Sequence, residues 1–240
     1  MSAPPLAAGS DRPGFFITLE GGEGGGKSTQ ARLLTQRLAG LGHDTLSTRE
    51  PGGSPGAERL RDVLLSGAVA PLGPAAEAII FSAARIDHLD KTIRPALMQG
   101  CVVVCDRFAD STRAYQGALG NLDPRLVRAL EQVTVGPTRP DLTLILDIPA
   151  ELGLARAAAR RGTAVADRFE TEGLAFHAAL RQTFLDIAAA EPARCVLIDA
   201  TQTQEETAAA IWRVVEARIS RPSPPRRDNV ISLASGRRIS

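Results

Sequence analysis

Gly21-Gly22-Glu23-Gly24-Gly25-Gly26-Lys27-Ser28 constrains this chain more than any other segment. It fits G-x-x-x-x-G-K-[ST], follows the apolar run at 15–19, and opens a stretch at 27–41 whose Ala31, Leu34 and Leu38 recur at helical spacing. Strand, glycine-rich turn and helix in that order let the backbone wrap around phosphate and aim N–H groups and a helix N-terminus at it. In such a loop Lys27 lies against the β- and γ-phosphates and the Ser28 hydroxyl ligates Mg²⁺, with Thr29 in the first helical turn behind them. Only Lys27 and Lys91 are lysines. The motif specifies a nucleoside triphosphate and leaves the reaction open.

The apolar pattern continues as short β-like runs separated by helical windows. Strands are expected at 15–19, 45–48, 101–105, 142–146 and 196–198. Helices are expected at 27–41, 57–65, 75–98, 124–133, 150–161, 174–190 and 205–219. The alternation predicts an α/β fold with a five-stranded parallel sheet flanked by helices on both faces, its ligands beyond the carboxyl ends of the strands. With 240 residues, 44% of them hydrophobic, a single domain over 14–220 can bury a sizeable core. Residues 1–13 and 221–240 lack apolar periodicity and are expected to be disordered.

Charge and composition exclude some functions. The net charge is +1, but residues 220–240 alone contribute +4, which leaves about −3 on the rest. That balance argues against a nucleic-acid partner. No apolar stretch approaches the roughly 18 residues of a membrane span, and the first 14 residues lack the pattern of a signal peptide. Cys101, Cys105 and Cys195 lack metal-ligand spacing. A soluble, cytoplasmic protein is expected.

Asp106-Arg107 directly follows the strand at 101–105, on the ligand edge of the sheet. A carboxylate there can hold Mg²⁺ through water or orient an acceptor, and the arginine can clamp a second phosphate; a structural Asp–Arg pair is the plainer alternative. Thr48-Arg49-Glu50-Pro51-Gly52-Gly53 ends the second strand on the same edge, and Arg61 and Arg85 lie on expected helices. Several arginines beside a phosphate loop suggest two phosphorylated substrates. His43, His88 and His177 are read as surface residues or as supports behind the site.

In these residues the chain resembles the bacterial thymidylate kinase family over residues 15–219. The resemblance rests on Gly21–Ser28, Arg49-Glu50-Pro51-Gly52-Gly53, Phe81 with Arg85, Asp106-Arg107-Phe108, Ser111 with Ala114-Tyr115-Gln116, and Asp167-Arg168-Phe169-Glu170. The block D-R-F-x-x-S-x-x-A-Y-Q at 106–116 is the most specific. The resemblance implies a three-layer P-loop kinase fold with a mobile lid at about 156–172, a homodimer, and ATP and dTMP as substrates with Mg²⁺. ATP would occupy Gly21, Gly22, Glu23, Gly24, Gly25, Gly26, Lys27, Ser28 and Thr29. Phe81 would stack on thymine, Arg85 would meet the base edge, and Ser111 and Gln116 would help recognise the base. Tyr115 would crowd a 2′-hydroxyl. Arg49, Arg61 and Arg107 would gather around the dTMP phosphate, and Glu50 and Asp106 would organise magnesium and water. Because the loop carries Glu23-Gly24, the resemblance points to a lid arginine, Arg160 or Arg161, for the transferring phosphoryl group. The segment 162–166 is longer than the family pattern and makes Arg168 a further candidate. The loop at 199–202 would cup adenine. A regulatory GTP switch lacks its N-K-x-D here, and a nucleic-acid-stimulated ATPase fits the acidic body poorly.

Overall fold

The computed structural model describes residues 14–161, 169 and 171–219. The expected termini at 1–13 and 221–240, and lid positions 162–168 and 170, including Arg168, lie outside the described residues.

Five parallel strands form the sheet: β1 Phe15–Glu20, β2 Thr45–Arg49, β3 Val102–Asp106, β4 Leu142–Asp147 and β5 Cys195–Asp199, in the order β2-β3-β1-β4-β5. The helices between them are α1 Lys27–Gly40, α2 Pro55–Leu65, α3 Gly73–His88, α4 Arg94–Met98, α5 Ala109–Thr112, α6 Pro124–Thr134, α7 Ala150–Arg161, α8 Leu174–Ala190 and α9 Gln204–Ile219. Alternation along β1 explains the layers. Phe15, Ile17 and Leu19 face a core shared with Leu34 and Leu38 of α1 and Ile211 and Val215 of α9. Phe16 faces the other side, among Leu89, Ile93, Val103 and Phe108. Both faces are covered, so β1, β3 and β4 read as near-continuous apolar runs, interrupted before their acidic last residues only by Thr18 and Thr143.

Register aligns the carboxyl ends. Leu19 and Arg49 both pair with Asp106, Glu20 pairs with Ile145, and Asp147 with Asp199. The chain order reverses around β1, so the loop after β1 opens at the switch point, with the ends of β2 and β3 on one side and of β4 and β5 on the other.

Two elements differ from the expectation. The helix expected at 75–98 is interrupted by a π-helical turn, Leu89–Ile93, before α4. Pro95 has no N–H for the carbonyl four residues back, and a wider turn accommodates that loss. The stretch after Asp106 also turns helical, as α5 and then a π-helical segment, Arg113–Leu119, a region with no strong helix pattern of its own. Among the described residues no single helix is long and apolar enough to cross a membrane.

Candidate active site

At the carboxyl edge of the sheet lies a cleft of about 250 Å³. The phosphate loop supplies Glu23, Gly24, Gly26, Lys27 and Ser28 to its wall, and the opposite side supplies Arg49, Glu50, Arg61, Phe81 and Arg85. Asp106, Arg107, Ser111, Tyr115 and Gln116 form the floor between them, and Arg160 reaches in from α7. The expected residues Gly21, Gly22, Gly25 and Thr29 shape the loop and the helix behind it, and Arg161 ends α7; none of these five lines the cleft. Sequence reasoning also passed over Leu65 and Thr112, which do line it.

The loop end of the cleft is built from β1, the loop and α1. Lys27 Nζ donates to the Gly22 carbonyl at 2.6 Å. Burial, with the charge of Arg107, pulls the Lys27 ammonium down to about 8, against the pull of Glu23 and Asp106. The Ser28 hydroxyl donates to Asp106 Oδ2, while Asp106 Oδ1 is buried with no hydrogen-bond partner. A hydroxyl beside a carboxylate with a spare oxygen is a donor set that suits a hard divalent cation whose other ligands are phosphate oxygens and water. No cluster of three or more His, Cys, Asp or Glu side chains suited to a metal occurs among the described residues.

The loop and α7 meet backbone to backbone. At Gly24, whose φ is +70°, a Cβ would lie 1.9 Å from the Gly153 carbonyl oxygen; at Gly153 a Cβ would lie 2.4 Å from the Glu23 carbonyl oxygen. No side chain fits at position 24, so an arginine cannot come from there. Further along α7, Arg156 donates to the carbonyls of Ala200 and Thr201 at 2.6 and 2.9 Å, tying this helix to the loop after β5.

Arg107 joins the two ends of the cleft. Its φ of +69° is left-handed, and from that turn its guanidinium donates to Glu23 Oε1 at 2.5 Å and to Gly21 O and Ser111 Oγ at 3.2 Å each. Tyr115 donates to the same Glu23 oxygen at 3.0 Å. Burial pushes the Glu23 carboxyl up, but Arg107, Lys27 and the Tyr115 hydrogen bond outweigh it and bring it to about 2. Burial likewise disfavours the Arg107 charge, and Tyr115, Glu23, Asp106 and Glu20 more than compensate, so the guanidinium stays charged.

Glu20, directly before the loop and absent from the expected site, supports this floor from below. It accepts from the Phe108 and Ser111 amides at 2.8 and 3.3 Å and from the Ser111 hydroxyl at 2.6 Å. Burial and the neighbouring Asp110 raise it to about 7. Ser111, expected at the base, thus spends its proton on Glu20.

On the far wall Arg85 and Glu50 form a buried pair. Arg85 Nε donates to Glu50 Oε2 at 2.7 Å, and Arg85 Nη2 donates to Phe108 O and Thr112 Oγ1 at 3.1 Å each. The second Glu50 oxygen meets His88, so both are occupied by protein partners. Arg49 pairs with Glu58 at the exposed mouth, and Arg61 donates to Pro51 O at 2.6 Å. Gln116 is buried with Nε2 3.5 Å from Glu77 Oε2, and half-buried Phe81 stands on α3 nearby. One cleft therefore carries an anion-binding loop at one end and an arginine-rich, aromatic-lined wall at the other.

The family model for thymidylate kinase matches residues 19–211, most of the chain. The chain belongs to the thymidylate kinase family. It is 56% identical over 211 residues to a thymidylate kinase of Bradyrhizobium diazoefficiens, covering 88% of this chain and 92% of that one. A thymidylate kinase of Rhodopseudomonas palustris is 58% identical over the same shares. Among solved structures, the thymidylate kinase of Ehrlichia chaffeensis superposes with a TM-score of 0.69 at 31% identity, covering 85% of this chain and 99% of that one. The five-stranded parallel sheet and the cleft at its carboxyl edge thus belong to a thymidylate kinase fold.

Proposed function

We infer that this chain transfers the γ-phosphoryl group of ATP to dTMP, giving dTDP and ADP, in the cytoplasm and in the supply of dTTP for DNA replication. The observation that supports this most is Arg107, whose one guanidinium touches Gly21 and Glu23 of the phosphate loop and Ser111 of the opposite floor. Five arginines line the same cleft, Arg49, Arg61, Arg85, Arg107 and Arg160, more than a lone triphosphate requires. A second phosphorylated substrate accounts for them.

ATP rests its phosphates on the loop amides and on Lys27. Ser28 and Asp106 would hold Mg²⁺, which would supply positive charge against the developing charge of the phosphates. The dTMP phosphate lies among Arg49, Arg61 and Arg107, its base against Phe81 with Arg85, Ser111 and Gln116 around it, and its sugar beside Tyr115. The acceptor oxygen is already anionic, so no side chain has to remove a proton. Catalysis reduces to alignment and to neutralising charge on the transferring group, the work of Lys27 and of Arg160 or Arg161. Glu50 contributes by holding Arg85. Arg160, near the end of α7, lines the cleft beside the phosphate loop, and keeping water out there suppresses hydrolysis.

The enzyme pairs as a homodimer through α3 and α6. Ile79 and Ile86, and likewise Leu126 and Val133, are seven residues apart and so share a helix face, and all four are exposed in the single chain. Light scattering on the full chain is expected to give a dimer, and the Val133→Glu variant a monomer.

The deciding assay couples ADP release to ATP and Mg²⁺ with dTMP, dUMP, dCMP, dGMP, AMP and UMP offered separately. Preference for dTMP with little turnover in its absence is the expected result. Preference for another monophosphate would overturn the acceptor assignment, and turnover without any would overturn the kinase.

A further inference from the structure

His88 closes α3 and is 0% exposed. Its Nδ1 lies 3.1 Å from Glu50 Oε1 and its Nε2 lies 2.7 Å from Thr48 Oγ1. An ionised carboxylate only accepts, so Nδ1 carries a proton and donates to Glu50; in the neutral ring Nε2 is then the acceptor and the Thr48 hydroxyl the donor. The hydrogen bonds continue from Glu50 to Arg85, and from Arg85 to Phe108 O and Thr112 Oγ1. A single buried path thus runs from the end of β2 through α3 to α5, the three segments that frame the acceptor end of the cleft.

The surroundings allow little else at position 88. A Cβ on Gly53 would come 2.3 Å from His88 Nε2 and 2.4 Å from Thr48 Oγ1, so the turn after Glu50 lies directly on the imidazole. The neighbours of His88 hold the same stretch. Asp87 Oδ2 accepts from Ser54 Oγ at 2.6 Å and from the Gly56 and Ala57 amides, and Thr92 donates to Gly53 O at 2.8 Å. These contacts seat the stretch on α3 and the π-helical turn after it, and His88 alone among them reaches a side chain that lines the cleft.

We propose that His88 is a positioning residue of the acceptor site, fixing through its Nδ1–H the Glu50 carboxylate that in turn fixes Arg85. A buried carboxylate bonded by one arginine alone can rotate about its last side-chain torsion; a second donor at a fixed angle removes that freedom, and with it the play of Arg85. The proposal deepens the acceptor reading above and rests on it.

Asparagine and glutamine separate the two ring nitrogens. Asparagine places its amide nitrogen at the same number of bonds from Cβ as Nδ1 and keeps a donor for Glu50, whereas glutamine carries its amide one carbon further, toward Thr48. With the full-length enzyme, His88→Asn is expected to keep KM for dTMP within about threefold of the parent, and His88→Gln to raise it about tenfold or more. KM for ATP should stay within about twofold in both. If the two variants behave alike, or if KM for ATP moves as far as KM for dTMP, His88 only packs and the proposal falls. Should either variant fail to fold, as a lost thermal transition would reveal, Thr48→Val decides: it keeps the side-chain shape and removes the hydroxyl that orients the ring. A rise of about threefold or more in KM for dTMP alone supports the proposal, and an unchanged KM overturns it. A parent enzyme that ignores dTMP would refute the acceptor reading instead, and the same variants would then be compared on the monophosphate it does use.

Discussion

Gly153→Ala tests whether α7 and the phosphate loop work as one part. The new methyl group would sit 2.4 Å from the Glu23 carbonyl oxygen, where tolerated contacts begin at 3.0–3.4 Å. The two backbones must therefore separate by about 0.6–1 Å, since a carbonyl has no rotamer to escape into. On stability the effects oppose one another. Alanine improves the α7 helix by roughly 1 kcal/mol over glycine, while the overpacking costs about 1–3 kcal/mol. The net loss is about 0–2 kcal/mol, or at most about 8 °C in thermal midpoint for a domain of this size. On catalysis nothing offsets the displacement, and a shift near 1 Å in a positioned group costs about 100-fold. Initial rates at varied ATP and saturating dTMP should show kcat/KM for ATP down by about 30–100-fold, with KM for dTMP within about threefold, in a protein that still melts cooperatively. A variant with unchanged kcat/KM for ATP would refute the reasoning, because the loop could then tolerate what the contact forbids.

Tyr115→Phe removes a hydrogen bond to the ionised Glu23, a contact worth about 1.5–3 kcal/mol. KM for dTMP should rise about tenfold or more, and an unchanged value would assign Tyr115 to ring packing alone. Burial holds the Lys27 ammonium near 8 in the free enzyme, so its charge is lost as pH rises through that value and kcat/KM for ATP should fall above about pH 8. The same shift makes the unfolded chain the greater proton binder between about 8 and 10.5, so Lys27-linked stability rises with pH in that window and its titration does not itself unfold the protein; a flat profile to about pH 9.5 would contradict the assignment. Of Arg160→Ala and Arg161→Ala, the variant of the arginine that meets the transferring group should lose about 10³-fold in kcat, with Arg160, already on the cleft wall, expected to be the one. A loss below about tenfold in both would exclude α7 as the source of that charge.

How much was legible in advance follows from where each residue gets its instructions. β1, β3 and β4 are covered on both faces and announce themselves as apolar runs, and the phosphate loop carries its own backbone requirements in its glycines. The bounds of α7 and α8 coincide with their apolar periodicity. The segment from Ala109 to Leu119 could not be read this way. Ser111, Thr112 and Gly117 are weak helix formers, and its turns are held from elsewhere: Glu20 takes the Phe108 and Ser111 amides, and Asp110 is clamped by Arg194 at 2.6 and 3.1 Å and by Arg113 at 2.9 Å. Those partners lie up to 91 residues away. The same holds for His88, read as surface or support, and for His177, both of which are buried. A histidine beside polar neighbours in the chain gives no sign that its helix will turn it toward a carboxylate just past the end of β2. Arg85 and Glu50 were each legible as site residues from their motifs, but not as partners, because pairing across 35 residues depends on how α3 lies against the strand ends.

Arg107 explains why the donor and acceptor halves must be considered together. A non-glycine residue at φ +69° costs about 1–3 kcal/mol, and it persists only where its surroundings overdetermine it. Here the Arg107 amide bonds Leu19 O at 2.9 Å, its guanidinium has three further acceptors, and Glu20 pins the next amide. The left-handed turn sends two adjacent side chains in different directions. Asp106 stays on the strand line and meets Ser28, while Arg107 doubles back to the loop that holds Ser28. Any anion that draws Arg107 away from Glu23 also changes the loop that receives ATP. If the dTMP phosphate is such an anion, the influence is mutual by linkage: dTMP would alter the affinity for ATP by the same factor that ATP alters the affinity for dTMP. On the proposed reading, in which Arg107 meets the dTMP phosphate, the acceptor's own phosphate would be part of what organises the loop and would keep ATP from being spent on water.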